Sequence, residues 1–440
     1  MKVGVLVPVC SRNQTWNSYE DCYFETALLP SFEATKSANA EYCFYIGIDS
    51  DDAFFLAHKD RMPGTKVIVE NCHHAPAHVW NHLFKRAYDD GCEYMFQIAD
   101  DVVIETPGWT EKFVTKLREN INRGVVGPCH PENWRLRKNA GKPFVLENAF
   151  VHRSHYDRFG FLYPWEIRNW YCDDWISRVY EGCLSYMFED LVVHNLSVRS
   201  PSQRYTIEHP NWGKCVDDGR KTLREQTKGC FSFCLYGGYT DKYYRGLSRN
   251  VDIIRSDFPT WDIVVYAAPD AEAFVRSLSG VQCVATGKSG AVNMTYRFLE
   301  VGNPDYDIVC VRDADSRINA RDQWCIRHFL DSTSRVYTIR DHPLHRYRVM
   351  GGLWGAKRGY HLDASVLRMY CHEVQAGYTS DTQFLEKHLR TRNMLVYSYD
   401  PTGLFTDPTE KIVQIDCPGD FCGNVILFDE KGNEYPEFTR

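Results

Sequence analysis

At 440 residues the chain is too long for one typical core and suits two domains of roughly 200 residues each. Hydrophobic residues make up 44% and charged residues 25%, which excludes a disordered chain. The net charge of −7 comes without any long run of Lys or Arg, which argues against nucleic acid as a partner, and no stretch reaches the apolar length of a membrane span.

The 17 cysteines are odd in number and scattered through apparent strands and helices. That is the pattern of reduced, buried thiols in a cytoplasmic protein rather than a disulfide framework. Cys417 with Cys422, and Cys230 with Cys234, each lack a second pair at zinc-finger spacing. The 27 Tyr, 24 Phe and 11 Trp suit core packing and sugar-stacking surfaces equally well.

In chain order, Val3 to Val9 is read as a buried strand, too short for a signal core and without a small-residue cleavage site. Strands follow near Cys43 to Ile48 and Lys66 to Val69, continuous apolar runs that fit a sheet covered on both faces. Asp49 and Asp51 end the strand at Cys43 to Ile48, and Arg12 follows the strand at Val3 to Val9. Pro76 opens a helix with Val79, Trp80, Leu83, Phe84, Ala87 and Tyr88 at helical spacing, stopped by Gly91. His78 and His82 lie four apart on it, without the Glu of a zinc-protease motif. A strand, Tyr94 to Ile98, then delivers Asp100 and Asp101.

After a polar stretch from Ser197 to Gly229 the plan restarts. The expected organisation is one domain over 1–212, a linker over 213–228 and a second domain over 229–440. Strands are expected at Phe231 to Leu235, Ile263 to Tyr266 and Val281 to Val284, then a helix carrying Val292, Tyr296 and Leu299. A strand from Ile308 to Val311 delivers Asp313 and Asp315. Between them, Thr286 to Gly290 is no phosphate loop, because position 282 is Gln instead of Gly, but Lys288 remains a candidate diphosphate contact. Downstream, Asp174 follows Asp101 by 73 residues and Asp381 follows Asp315 by 66; His194 and Asp400 come 20 and 19 residues later again, each at the end of an expected strand, Leu191 to Val193 and Met394 to Tyr397. The order of strand, carboxylates, further acid and strand end is thus used twice, and the fold class expected is α/β with two tandem doubly wound domains.

In open α/β sheets ligands bind beyond the carboxyl ends of the strands, where these acids lie. Two adjacent carboxylates raise one another's pKa unless a cation offsets the repulsion, and that cation can bridge a diphosphate. Oxygen ligands with one His suit Mn2+ or Mg2+, which would stabilise charge on a departing diphosphate.

These residues resemble the GT-A glycosyltransferases, whose DxD motif follows a central strand: here Ala99-Asp100-Asp101 and Asp313-Ala314-Asp315. The resemblance implies a Rossmann-like fold for each domain, metal binding by Asp101 and Asp315, and nucleotide or metal contacts from Asp100 and Asp313. It implies nucleoside contacts from Asp49 and Asp51 and a phosphate contact from Arg12. Trp170-Tyr171-Cys172-Asp173-Asp174 resembles the segment that supplies the catalytic base, with Asp173 a rival to Asp174, and His194 resembles the His that completes the metal shell. In the second domain Asp381 takes the base's place, after a Gly351-Gly352-Leu353-Trp354-Gly355 loop, and Asp400 stands in for the missing His. The first half also resembles the rhamnosyltransferases that build chlorella-virus capsid glycans. That implies UDP-L-rhamnose as donor, an oligosaccharide on a glycoprotein as acceptor, and the host cytoplasm as location. It also implies β-L then α-L transfer by the two domains and a methyltransferase domain beyond this chain. A β-L product from a β-linked donor requires retention, which conflicts with Asp174 as a simple inverting base. Two rival expectations stand beside this one: a nucleotidyltransferase, which couples two metals for phosphoryl chemistry, and a carbohydrate-binding protein with one inactive domain.

Overall fold

In the computed structural model the chain divides into two compact units, Met1–Gln226 and Thr227–Arg440. The structure describes residues 1–70, 72–120, 122–132, 144–180, 184–196, 208–332, 334–358, 360, 362, 365–367, 370, 379–390, 396–400 and 410–438.

The first unit contains β1 (Lys2–Val9), β2 (Glu41–Asp49), β3 (Thr65–Val69), β4 (Tyr94–Gln97), β5 (Val102–Ile104), β6 (Val125–Cys129), β7 (Phe150–His152) and β8 (Ser185–Asn195). They form one sheet in the order β3-β2-β1-β4-β7-β6-β8-β5. β1 to β4 pair in parallel, whereas β7 runs antiparallel between β4 and β6. The apolar runs lack polar alternation because both faces are covered. Val3, Val5 and Val7 join one layer with Phe32, Phe44 and Ile46. Leu6, Tyr45 and Met95 join the other, under Val79, Leu83 and Phe84 of the helix Pro76–Asp89. Pro76 sits in the first turn, where its missing N–H would have no helical acceptor, and Gly91 takes the left-handed φ of 80° just past the end.

The second unit repeats this with β9 (Gly229–Leu235), β10 (Asp262–Ala267), β11 (Gln282–Ala285), β12 (Ile308–Arg312), β13 (Val336–Ile339), β14 (Leu353–Lys357), β15 (Val396–Tyr399) and β16 (Glu410–Val413). Its order is β11-β10-β9-β12-β14-β13-β15-β16, again with an antiparallel strand, β14, beside the central parallel strands. A small hairpin of β17 (Ile426–Phe428) and β18 (Glu434–Pro436) follows. The registers also correspond: Leu6 of β1 lies opposite Gln97 of β4, and Ser232 of β9 lies opposite Val311 of β12. This is the doubly wound, Rossmann-like α/β arrangement, twice over, that the GT-A resemblance implies. The expected strand segment Met394 to Tyr397 falls partly outside the described residues.

The span 213–228, expected as linker, is largely helix, Trp212–Glu225, belonging to the first unit. Asn211 caps it by accepting from the Lys214 amide at 3.3 Å. It packs on the helix Cys172–Val179: the Trp175 indole donates to the Cys215 carbonyl at 3.0 Å, and a Cβ at Gly219 would stand 2.7 Å from Val179. Trp212, Val216, Gly219 and Leu223 recur at helical spacing, a signal hidden under the segment's charged composition. Among the described residues the cysteines are free thiols, and no helix is long and apolar enough to cross a membrane.

Candidate active site

At the carboxyl ends of β1 and β2, Arg12 is paired with two acids. Its Nη2 donates to Asp49 at 2.6 Å and Asp51 at 3.0 Å, and His73 Nδ1 lies 2.9 Å from both Arg12 and Asp51. Burial pushes the Asp49 carboxyl up despite Arg12. Asp51 feels a smaller burial penalty and is held below its ordinary value by Arg12 and then His73. Asp52, which sequence reading passed over, fixes this corner: it accepts from the Ser11 amide at 2.7 Å and hydroxyl at 2.8 Å and caps the next helix through the Phe55 amide at 3.1 Å.

Asp100 and Asp101 follow β4 and are 1% and 3% exposed, so whatever meets their carboxylates does so away from bulk water. The Asp101 carbonyl accepts from Leu196 at 3.0 Å, and Val103 pairs with His194 across β5 and β8. Asp101 and His194 therefore share a sheet edge. The side chains that close around the His194 ring, however, are Glu105, His130 and Glu132, none of which the sequence pattern marks.

The helix Cys172–Val179 carries Asp173 and Asp174 in its first turn. It is entered through Tyr171 in the left-handed region, φ 74°, a conformation that a bulky residue adopts only when its surroundings impose it. Those surroundings are visible. The Tyr171 ring stacks on Trp212 at 5.7 Å, its hydroxyl meets His209 at 2.9 Å, and the Asn169 side chain accepts from the Trp170 and Glu208 amides. Burial, then Asp174, then Glu147 raise the Asp173 carboxyl to about 7. Among the described residues no cation pairs with it.

The second domain uses the same entry. Thr379, φ 77°, precedes the helix Ser380–Arg390, and Asp381 is its second residue as Asp173 is of the first domain's helix. The hydrogen bond matches as well: Asp173 Oδ1 accepts from the Asp174 amide at 3.0 Å, and Asp381 Oδ1 from the Thr382 amide at 2.8 Å. Asp381 therefore corresponds to Asp173, not to Asp174 as linear spacing suggested, because helix phase and not residue count sets the direction of a carboxylate.

The acids of the second domain lie beside built-in cations. Arg297, itself buried, donates to Asp313 through Nη1 and to Asp381 through Nη2 at 2.8 Å. One guanidinium thus joins the acid at the strand end to the acid on the helix, which shows that the two face one site. Lys242 lies 3.4 Å from Asp315. The Asp315 carboxyl is raised to about 6 by burial first and Asp313 second, against the pull of Lys242. Gly351 and Gly352 are required here: a Cβ on Gly351 would collide with the Asp381 carboxylate and one on Gly352 with that of Asp313. The expected metal pairing of Asp315 with Asp400 does not form. Asp400 is buried 3.1 Å from Arg340 Nη2, which also donates to Glu410 at 2.7 Å, so its charge is satisfied internally. Lys288 is exposed on the loop before the helix Asn293–Tyr296; its backbone, rather than its ammonium group, is tied down, by Thr286 and Asn293. Neither Arg297 nor Lys242 is marked in the sequence by any spacing. An open depression of about 880 Å³ lies at the other end of the first sheet, lined by Lys2, Tyr42 and Asp90, away from all of these acids.

No protein-family description matches the chain, and no curated protein does. Among solved structures it is similar to S. aureus TarS 1-349 in complex with UDP, at 14% identity over 50% of this chain and 64% of that one, TM-score 0.32. A mannosyltransferase from Pyrobaculum calidifontis in complex with GDP-Man and Mn2+ matches at 14% identity over 51% and 70%, TM-score 0.32. CMP:2-keto-3-deoxy-manno-octonic acid synthetase complexed with CTP matches at 12% identity over 51% and 100%, TM-score 0.32. The chain spans 37% of the longer TarS structure. Likeness this distant does not reach activity; the fold assignment rests on strand order and register.

Proposed function

We propose that the first domain transfers a sugar from a nucleotide-diphosphate donor to a hydroxyl acceptor, with Asp173 as the proton acceptor and a divalent cation at Asp100 and Asp101. The observation that carries this reading is Asp173: a carboxyl raised to about 7, at the mouth of a helix held by a left-handed Tyr171. A general base works best with its pKa near the working pH. The bound cation would stabilise charge on the leaving diphosphate. Arg12, Asp49, Asp51 and His73 form a polar cluster at the ends of β1 and β2 suited to a nucleoside, and Asp174 is then a positioning residue that donates its amide to Asp173. The finer assignment, UDP-L-rhamnose as donor and a glycoprotein glycan as acceptor, comes from the sequence resemblance; a base at Asp173 inverts the anomeric centre, so the β-L transfer that the resemblance also implies for the first domain would require an α-linked donor.

The second domain favours a different reading. Both oxygens of Asp381 are engaged, by Arg297 and by Thr382, and Asp313 shares the same guanidinium. Such a site binds a polar ligand without recruiting a metal, which supports a sugar- or nucleotide-binding domain without turnover.

The test is diphosphate-nucleoside release by the intact chain, supplied with UDP-L-rhamnose or UDP-glucose and a short glycan acceptor, with Mn2+ or EDTA, the linkage read by NMR. One new linkage that disappears with EDTA is the expected result. Pyrophosphate release would support a nucleotidyltransferase instead, and a second, α-L linkage that persists in EDTA would make the second domain a metal-free transferase.

A further inference from the structure

We propose that His130, Glu132 and His194 form a binding site for one divalent transition-metal ion, with Zn2+ preferred over Mg2+, separate from the Asp100–Asp101 pair. The site stands whether or not the chain transfers a sugar.

His130 follows β6 directly, Glu132 comes two residues later, and His194 lies near the end of β8. β6 and β8 are parallel neighbours with Cys129 opposite Val192, so sheet register brings together three residues that the sequence separates. Among the described residues they form one group whose ligand atoms all lie within 4.8 Å of one another. A tetrahedral shell with bonds of about 2.0–2.1 Å spaces its ligand atoms about 3.3 Å apart, so the side-chain tips close by at most about 1.5 Å on an ion. The His194 Nδ1 to Glu132 Oε1 distance, 3.8 Å, is already near that spacing.

The independent observation is His130 itself. Its side chain is 1% exposed, and its Nε2 is buried with no hydrogen-bond partner. Its Nδ1 lies 2.8 Å from Glu147 Oε2. A carboxylate only accepts, so Nδ1 donates to Glu147, and Nε2 is the ring nitrogen left for a metal. His194 is arranged alike: Nε2 is 3.0 Å from Glu105 Oε1 while Nδ1 faces Glu132. Each imidazole thus has a carboxylate, Glu147 or Glu105, at one ring nitrogen, which leaves the other for a metal, the outer-shell arrangement that orients metal-binding histidines. Two imidazoles and one carboxylate are a Zn2+ ligand set with a fourth position open, whereas Mg2+ prefers oxygen ligands throughout. The second domain shows what else fits this corner: Arg340, directly after β13, brings a covalent cation to Asp400 and Glu410. Both domains then place positive charge at the same sheet edge, one from a side chain and the other from an ion.

The experiment is a competition titration of the intact, chelator-stripped protein with Zn2+, Mn2+ and Mg2+ against a chromophoric chelator, with stoichiometry by elemental analysis. One Zn2+ per chain is expected. His130→Ala and Glu132→Gln should each weaken it by at least about 100-fold and Glu147→Gln by roughly 10–100-fold, with Asp101→Ala close to the parent. Glu132 is part-exposed, so its variant keeps the test meaningful should the buried His130 substitution fail to fold. Zn2+ binding unchanged in Glu132→Gln, Mg2+ displacing Zn2+ at equal concentration, or a loss in Asp101→Ala as large as in His130→Ala would each overturn the proposal.

Discussion

The two domains share strand order, register and the left-handed entry to an acid-bearing helix, yet they treat their negative charge in opposite ways. In the first, Asp173 has no cation beside it among the described residues, and its carboxyl rises to about 7. In the second, Arg297 ties Asp313 to Asp381 and Lys242 approaches Asp315. The registers locate the difference. Ser232 of β9 donates to the Arg297 carbonyl at 2.7 Å, and the matching Leu6 of β1 accepts from the Trp80 indole at 3.3 Å. The helix residue held at this register is thus a tryptophan in one domain and an arginine in the other. The same backbone therefore carries a helix acid without a cation partner among the described residues in one domain and a helix acid tied to a buried guanidinium in the other, and which it becomes depends on a few side chains.

The strongest way to break this comparison is at the two helix acids. Asp173→Asn should lower first-domain turnover by roughly 10²–10⁴-fold, the usual contribution of a general base, while Asp381→Asn leaves that turnover unchanged; initial rates with donor and acceptor decide it. Next is Arg297→Met, which strands two carboxylates. Removing one partner of a buried pair costs about 3–5 kcal/mol, and because Asp313 is half-exposed the lower end is expected, read by chemical denaturation. The same variant should gain Mn2+ affinity, turning the second site toward the first.

The pH dependence is a third test. Activity should fall about tenfold per unit below pH 7 as Asp173 takes up its proton. Stability should move the other way: with the folded carboxyl raised above its unfolded value, the contribution is fully present below about pH 4 and is lost as pH rises through 7. Asp173→Asn should therefore raise the melting temperature at pH 8 relative to the parent and leave it nearly unchanged at pH 4. The smallest effect sharpens the acid geometry of the second domain. Gly352→Ala places a methyl group against Asp313 and should cost about 1–3 kcal/mol, as overpacking does, measured by thermal unfolding.

Most of the sheet was legible in the sequence because its central strands are buried on both faces: Val3 to Val9 and Ile308 to Val311 can hardly be read otherwise. The strand-end acids were legible for the same reason, since they interrupt such runs. The match between Asp173 and Asp381 was not, because counting from acid to acid ignores where each helix begins. His130, Glu147, Arg297 and Lys242 were invisible because each is a single residue whose partners lie on other strands or helices, and only sheet register brings them together. Asp400 misled for a related reason: its distance from Asp381 imitates that of His194 from Asp174, but its neighbour in space is Arg340.

The helix Trp212–Glu225 bears on how the protein can be dissected. It roofs the helix that carries Asp173 through the Trp175 indole and the Gly219 contact, and its first residue is the surface on which Tyr171 stacks. A first-domain fragment ended near residue 212 would remove that roof and free the left-handed pivot, so an inactive fragment of that length would say nothing about the chemistry. One that runs through Gln226 retains both, and is the shortest piece on which the first domain should be judged alone.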